Sequence, residues 1–153
     1  MMLINDLTIK FKKLNENAEV PFRGSPDAAG YDLYACITND CGEITIPPHQ
    51  TVKIGTGLAF ELPQNTFGMI VPRSGLATKS GLRPANTPGV CDADYRGEYI
   101  VALHNDSDEA KVVKNKDRIA QLILMPFIPM SFQEAAELSE TVRGGGGFAS
   151  TGR

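Results

Sequence analysis

Short apolar runs separated by glycines and prolines recur along most of the chain and restrict its fold more than any other feature. The 153 residues include 10 prolines and 15 glycines. Runs rich in β-branched and aromatic residues are YDLYA (31–35), EITIP (43–47), TVKIGTGLAFEL (51–62), GMIVP (68–72), EYIVALHN (98–105), AKVV (110–113) and RIAQLILMPF (118–127). Closely spaced short strands divided by turn residues are typical of a sandwich or barrel, not of βαβ units. The sequence therefore predicts an all-β domain.

Three other segments carry weaker signals of secondary structure. Leu7, Ile9 and Phe11 alternate with polar residues, which predicts a half-buried first strand. Two segments have helical character: SGLATKSGL (74–82), which glycines bound, and SFQEAAELSE (131–140), which contains good helix formers.

Composition and charge exclude several classes of protein. Hydrophobic residues make up 42% and charged residues 22%, the balance of one ordinary globular domain. With a net charge of −3, the chain lacks the strongly basic surface of a protein that binds long nucleic acid. A phosphate ligand should therefore be small. No apolar stretch has the length of a signal peptide or membrane span, which predicts no membrane partner. The odd number of cysteines (Cys36, Cys41 and Cys91) favours reduced thiols in a cytoplasmic protein.

The segment PRSGLATKSG (72–81) is the first of three candidate clusters. Arg73 and Ser74 stand directly before Gly75 and a possible helix start, where a guanidinium and free backbone N–H groups can converge on a phosphate. The alternative is that Ser74 caps the helix while Arg73 is solvated.

The segment NTPGVCDADYRGEY (86–99) is the second cluster. Asp92 and Asp94 lie two residues apart and face the same way if the segment is extended, with the turn at Gly97 following them. Such a pair suits general-base chemistry, in which one carboxylate accepts a proton from water. The alternative is a polar turn between strands.

Two further stretches bear carboxylate or hydroxyl groups in unusual settings. Asp32 in AAGYDLYA (28–35) has aromatic and apolar neighbours, so its carboxylate should be paired, hydrogen-bonded or near a metal, unless it merely caps a turn. In RGGGGFASTGR (143–153), four glycines precede Phe148, Ser150 and Thr151. This tail is either a frayed terminus or a flexible flap that closes over an anion.

Taken together and in order, five stretches of the chain resemble the motifs of the trimeric deoxyuridine triphosphatases (dUTPases). They are AGYDLYA (29–35), PRSGLATKSGL (72–82), NTPGVCDADYRG (86–97), DRIAQLI (117–123) and RGGGGFASTG (143–152). The resemblance implies a jelly-roll-like β-barrel or sandwich of the β-clip type. It also implies a homotrimer with an exchanged C-terminal arm, in which each active site draws motifs from all three chains.

The resemblance also implies a division of the chain. Residues 1–135 would form the β domain, residues 136–142 a connector, and residues 143–153 a glycine-rich flap. Because the family's tail is extended from residue 128 onward, we expect strand and loop in place of a helix over 131–140.

The function implied by the resemblance is Mg²⁺-assisted hydrolysis of dUTP to dUMP and pyrophosphate, which keeps uracil out of DNA and supplies dUMP for thymidylate synthesis. Asp92 matches the carboxylate that activates water for attack on the α-phosphate. Asp32 matches the one that helps place Mg²⁺, through water. The matching substrate-binding residues are Arg73, Ser74, Gly75 and Gln121 near the phosphates, Asn86 and Tyr95 at the base and deoxyribose, and Arg143, Phe148, Ser150 and Thr151 in the flap.

Two matched aromatic residues have defined roles in the family. The Tyr95 ring would pack against C2′ and leave no space for a 2′-hydroxyl, and Phe148 would stack on uracil. Three residues depart from the family's usual pattern: Ser80 stands at a place often held by histidine, Cys91 replaces an aliphatic residue before Asp92, and Ala149 replaces a glycine after Phe148.

Two other functions compete with dUTP hydrolysis. A dCTP deaminase shares the fold, but its glutamate base would fall at the position of Ala102, which cannot transfer protons. A nucleotide-sensing module would keep the pocket without turnover. Retention of Asp92 and the flap favours an enzyme over a sensor.

Overall fold

The computed structural model describes residues 7–147, which form antiparallel strands and one short helix. The strands are β1 (Lys10–Lys13), β2 (Phe22–Arg23), β3 (Tyr31–Tyr34), β4 (Glu43–Ile46), β5 (Thr51–Gly55), β6 (Leu58–Glu61), β7 (Thr66–Val71), β8 (Leu82–Pro84), β9 (Gly89–Asp92), β10 (Ile100–Asn105), β11 (Lys111–Lys114) and β12 (Arg118–Pro126). The helix α1 spans Ser74–Ser80. The all-β prediction is confirmed.

The strands form four sheets, of which the largest holds Asp32, Asp92 and Gln121. Its order is β2-β3-β12-β7-β9, and every pairing in it is antiparallel. The other sheets are β5-β10-β8, β1-β6 and β11-β4. Because β12 lies between β3 and β7, it brings together residues that are far apart in the sequence.

One hydrophobic core joins the sheets. Its most deeply buried members are Leu33, Ile46, Ile54, Leu58, Tyr99, Val101, Leu103, Ile119 and Ala120. Asn105 is also fully buried, and its side-chain amide donates to the carbonyls of Ile46 and Glu109 at 3.0 and 2.8 Å. A buried amide without such acceptors would destabilise the fold, so these bonds explain how the core accommodates it.

The prediction for the first strand is wrong in its start and its burial. The strand begins at Lys10, and all four of its residues are exposed. Leu7 and Phe11 line an apolar groove of about 340 Å³ with residues of other strands, including Leu122 and Leu124. The alternating apolar residues therefore line a groove that no described part of this chain covers. They are not a face packed into the core.

The two helical segments have different outcomes. The prediction over 74–82 is confirmed by α1, which ends at Gly81 in the left-handed conformation (φ 68°). Residues 131–140 form no helix, as expected from the resemblance. In this segment Phe132 and Leu138 are exposed, so no apolar face is buried. A helix this short is marginal without such packing.

No helix within residues 7–147 is long and apolar enough to cross a membrane.

Candidate active site

Asp32 lies at the centre of a polar cluster on the largest sheet. Its side chain is only 6% exposed. Oδ1 accepts hydrogen bonds from Arg73 Nε at 2.9 Å and from Gln121 Nε2 at 3.3 Å, while Oδ2 accepts from an Arg118 guanidinium nitrogen at 3.2 Å. The expectation that this carboxylate is paired is confirmed.

Strand register brings these four side chains together. Asp32 on β3 is directly opposite Gln121 on β12, and β12 pairs on its other side with β7, after which Arg73 follows. A β-bulge between Arg118 and Ala120 shifts the register. Residues three apart on a regular strand point to opposite faces, so the bulge lets Arg118 and Gln121 reach the same carboxylate.

The structure contradicts the alternative in which Ser74 caps α1 and Arg73 is solvated. Arg73 itself occupies the N-cap position, without a side-chain cap hydrogen bond, and its guanidinium is engaged with Asp32. Ser74 and Gly75 are exposed beside it. Two guanidinium groups on one carboxylate leave a net positive charge, and the Arg118 side chain is 51% exposed. This cluster is therefore suited to an incoming anion.

The second group of candidate residues surrounds a pocket of about 250 Å³ beside β9. The pocket is lined by Ile70, Asn86, Gly89, Val90, Cys91, Asp92, Tyr95, Glu98, Tyr99 and Ile100. Three candidate residues of the second sequence cluster, Asn86, Asp92 and Tyr95, thus share one concavity. The Asp92 carboxylate is exposed at the end of β9, where water can reach it.

The segment from Asp92 to Asp94 is not extended, so the condition for Asp92 and Asp94 to face the same way does not hold. The chain turns directly after β9, with the Tyr95 N–H donating to the Asp92 carbonyl at 3.1 Å. Asp94 therefore lies within a turn, where the alternation of an extended strand no longer applies. The turn begins at Asp92, earlier than the sequence predicted, and Asp92 is the only one of the two aspartates that lines the pocket.

Cys91 and Tyr99 form the inner wall of the pocket. Burial raises the pKa of the Cys91 thiol and the pKa of the Tyr99 hydroxyl. The Tyr99 ring packs edge-on against Phe60, with centroids 4.6 Å apart. Within residues 7–147, Tyr99 Oη has no hydrogen-bond partner, although the Cys91 thiol is close enough to raise its pKa. The inner wall is therefore uncharged at neutral pH.

The two groups do not meet within one chain. Asp92 pairs with Phe67 at the start of β7, whereas Gln121 pairs with Val71 at its end. Four residues along a strand correspond to roughly 13 Å. A single chain therefore presents Asp92 and the Asp32 cluster as two separate sites.

The tail contributes nothing to either group in the described residues. Arg143 is exposed, and its Nε donates to the Gly146 carbonyl at 2.8 Å within a local turn. The flap predictions for Phe148, Ser150 and Thr151, and the question of Ala149, lie outside the described residues.

The described residues do not build a metal cage. Within residues 7–147, no group of three or more His, Cys, Asp or Glu could hold a metal ion. Both Asp32 oxygens already accept hydrogen bonds from Arg73, Arg118 and Gln121. Three hydrogen bonds to this carboxylate leave little room for a metal ion, which favours a contact through water over direct ligation. Mg²⁺ commonly retains waters and takes phosphate oxygens as ligands.

Sequence reasoning gave no role to two residues of these sites. Arg118 was missed because its spacing from Gln121 is odd, and nothing in the sequence indicates the bulge. Glu98 was not singled out, although it is one of the residues that line the pocket. The signal that could have identified Glu98 is its position three residues after Tyr95 and directly after Gly97, where the chain must fold back.

Comparisons with known proteins identify the family and the fold of the chain. The dUTPase family model matches residues 16–152. The deoxyuridine 5'-triphosphate nucleotidohydrolase of Nautilia profundicola is 45% identical over 147 residues, covering 96% of this chain and 100% of that protein. The dUTPase of Staphylococcus bacteriophage 80alpha, solved with dUPNHPP, is 26% identical with a TM-score of 0.80, over 95% of this chain and 99% of that one.

A mutant dUTPase from phage phi11 of S. aureus, whose structure concerns the coordination of a structural Mg(II) ion, has the same fold. It is 22% identical, with a TM-score of 0.75 over 88% of this chain and 100% of that one. The family match, the identity over nearly the whole length and the shared fold lead to one conclusion: this chain belongs to the dUTPase family.

Proposed function

We propose that this protein hydrolyses dUTP to dUMP and pyrophosphate. The observation that carries the proposal is the pocket in which Asn86, Asp92 and Tyr95 converge, in a chain of the dUTPase family. A pocket of about 250 Å³ is close in size to the smaller ligand sites of proteins. It matches the base and sugar of a nucleotide better than a whole triphosphate, so the phosphates must extend beyond it.

Asp92 is the proposed general base. Its exposed carboxylate at the end of β9 can accept a proton from a water molecule that attacks the α-phosphorus. The attack forms a bond from the water oxygen to phosphorus and breaks the bond to the bridging oxygen, so that pyrophosphate leaves. Asp92 thus acts on the water, while Asn86 and Tyr95 hold the base and deoxyribose in place.

The Asp32 cluster is the proposed binding site for the phosphates. Arg73, Arg118 and Gln121 present donors around a buried carboxylate, and Ser74 and Gly75 lie exposed beside them. Asp32 holds the guanidinium groups in a fixed orientation before the substrate arrives. Such preorganised positive charge stabilises charge that develops on the phosphate oxygens during the reaction.

The distance between the two groups supports an assembly of several chains. The β7 residues that pair with Asp92 and with Gln121 of the Asp32 cluster are four positions apart. One chain therefore cannot place both groups on one nucleotide. We therefore propose a homotrimer in which the pocket of one chain faces the cluster of another. Residues 136–142 would serve as the connector and 143–153 as the flap of a neighbouring site, with a C-terminal arm exchanged between chains. The β domain would comprise residues 1–135.

The flap residues would complete the closed site. Arg143, Ser150 and Thr151 would engage the terminal phosphates, and Phe148 would stack on uracil. Ordering of a lid by its substrate excludes water from competing reactions and completes the set of contacts.

Mg²⁺ is the proposed cofactor, carried by the phosphates, with Asp32 contacting it through water. When bound, it would neutralise part of the charge on the phosphate chain.

The reducing environment implied by the free cysteines favours a cytoplasmic location. There the reaction would keep uracil out of DNA and supply dUMP for thymidylate synthesis.

An assay of four nucleotides tests the proposed function. The protein is incubated with Mg²⁺ and dUTP, dCTP, dTTP or UTP, and both pyrophosphate and ammonia are measured. We expect pyrophosphate from dUTP with a strong preference over the other three. Ammonia from dCTP would instead indicate a deaminase. Ala102 lies on β10 outside the pocket and offers no carboxylate for that reaction. Binding of dUTP without turnover would indicate a nucleotide sensor.

A further inference from the structure

In the proposed function the Tyr95 ring decides which sugar fits the pocket, and the backbone carbonyl of Glu98 accepts a hydrogen bond from its hydroxyl. We propose that Glu98 is a positioning residue that fixes the Tyr95 ring and thereby sets the preference for deoxyribose over ribose. This inference rests on the proposed function, in which Tyr95 is the wall against C2′.

The Tyr95 side chain folds back on its own turn. Its hydroxyl donates a hydrogen bond to the Glu98 carbonyl at 3.0 Å. The phenol ring lies directly against the backbone of Gly97, where an added Cβ would collide with Tyr95 Oη. The chain therefore needs a glycine at 97 to admit the ring, and the orientation of Tyr95 depends on the position of the Glu98 backbone.

The Glu98 side chain reaches in the opposite direction, toward the corner between β5 and β6. Its Oε1 accepts the Gly57 N–H at 2.8 Å. The carboxyl group also lies over Gly55, where an added Cβ would collide with the same oxygen. Gly55 thus leaves space for this carboxylate and Gly57 supplies its hydrogen-bond donor. After burial, the carboxylate charge contributes to raising the pKa of the nearby Cys36 thiol.

The residue after Glu98 is bound to the same corner. The Tyr99 carbonyl accepts hydrogen bonds from Thr56 N at 3.1 Å and from Thr56 Oγ1 at 2.7 Å, and its N–H donates to the Leu58 carbonyl at 2.8 Å. Thr56 and Leu58 are fully buried. The corner is therefore a rigid base, and Glu98 connects the exposed Tyr95 ring to it.

This connection matters because the Tyr95 wall selects by exclusion. A ring that moves away by the width of a hydroxyl group admits the 2′-hydroxyl of ribose. Tyr95 is 44% exposed, and the solvent on its exposed side does not restrain the ring. Its position is set by the bond to the Glu98 carbonyl and by its contact with Gly97. Precise function of this kind depends on supporting residues behind the site.

The test compares kcat/KM for dUTP with kcat/KM for UTP in three variants. In Glu98→Ala the bond to Gly57 is lost, and we expect the dUTP-to-UTP ratio to fall about three- to tenfold, as for loss of one hydrogen bond. In Glu98→Gln the amide oxygen can still accept the Gly57 N–H, so the ratio should stay near that of the wild type. Tyr95→Phe removes the bond to the Glu98 carbonyl but keeps the ring, and it should lower the ratio as Glu98→Ala does.

Controls separate positioning from stability and from the proposed function. Glu43→Ala removes an exposed glutamate on β4, outside the pocket, and should leave the ratio unchanged. The double variant of Tyr95→Phe and Glu98→Ala should lose little more than either single variant, since the two bonds act in series. An unchanged ratio in folded Glu98→Ala overturns the inference. If that variant does not fold, an unchanged ratio in Tyr95→Phe overturns it instead. A wild-type protein that does not hydrolyse dUTP refutes the proposed function, and the inference with it.

Discussion

Asp32 and Asp92 are carboxylates with opposite surroundings, and their surroundings assign them different roles. Asp32 is buried and accepts hydrogen bonds from two guanidinium groups and an amide. Asp92 is exposed at the rim of the pocket. Of the two, only Asp92 is placed to take a proton from a water molecule, while Asp32 orients cations.

The role of Asp92 predicts a separation of binding from turnover. In Asp92→Asn the side chain keeps its size but loses its basicity, so kcat for dUTP should fall about 10²- to 10⁴-fold. The dissociation constant for dUTP, measured by calorimetry, should change little. An unchanged kcat would show that another group activates the water.

At the scale of single residues, the sequence was informative where a residue acts through its own chemistry. A carboxylate among apolar neighbours, as at Asp32, must be paired, and the structure shows its partners. The sequence could not identify Arg118 as one of them, because its orientation depends on a bulge. Nor could it show that Asp94 lies in a turn outside the pocket, since that follows from the point at which β9 ends.

At the scale of elements, the apolar runs predicted the strands well because each run is short and ends at turn residues. The run 51–62 is the informative exception, since it forms two strands, β5 and β6. The chain bends between them at Gly57, whose φ is 68°. The wrong burial of β1 has a different cause: alternation indicates that one face is apolar, but not whether the same chain covers it.

The ion pair between β8 and the end of β10 predicts how the stability of the fold depends on pH. Arg83 binds Asp106 through two hydrogen bonds of 2.7 and 2.9 Å, and it holds the pKa of that carboxyl below its ordinary value of 3.8, with smaller contributions from His104 and His49. A carboxyl group whose pKa is lower in the folded state stabilises the fold above its unfolded pKa. That contribution is lost as the pH falls through the lower, folded value.

The Asp106→Asn variant should therefore be less stable than the wild type at neutral pH, with the difference shrinking as the pH falls below 3.8. Urea unfolding of both proteins at a series of pH values measures this. Because both side chains are partly exposed, the difference should be small. A difference that stays constant into the acid range would show that the pair does not titrate as the geometry implies.

At the scale of the whole molecule, the separation of Asp92 from the Asp32 cluster is the main consequence of the topology. The resemblance predicted both groups, but only the register of β7 shows that one chain holds them apart. Apolar residues of the C-terminal segment, such as Ile128, Met130 and Phe132, are strongly exposed. Patches of this kind are typical of surfaces that pack against another chain.

We expect removal of the tail to reduce activity while the protein still folds. Of the residues that truncation before Arg143 removes, the described ones, 143–147, do not belong to the core, so the shortened protein should keep its melting temperature and its oligomeric state, measured by light scattering. Its kcat/KM for dUTP should fall at least about 100-fold, because the flap can no longer close over the phosphates. Full activity of the truncated protein would show that the flap is not required.

The central claim is that water attacks the α-phosphorus of dUTP, and the fate of labelled oxygen tests it most directly. The protein is supplied with dUTP and Mg²⁺ in water enriched in oxygen-18. The products are then separated, and their masses are measured by mass spectrometry. Asp92-assisted attack on the α-phosphorus places the label in dUMP and leaves pyrophosphate unlabelled. Label in pyrophosphate would show attack on the β-phosphorus and would contradict the account.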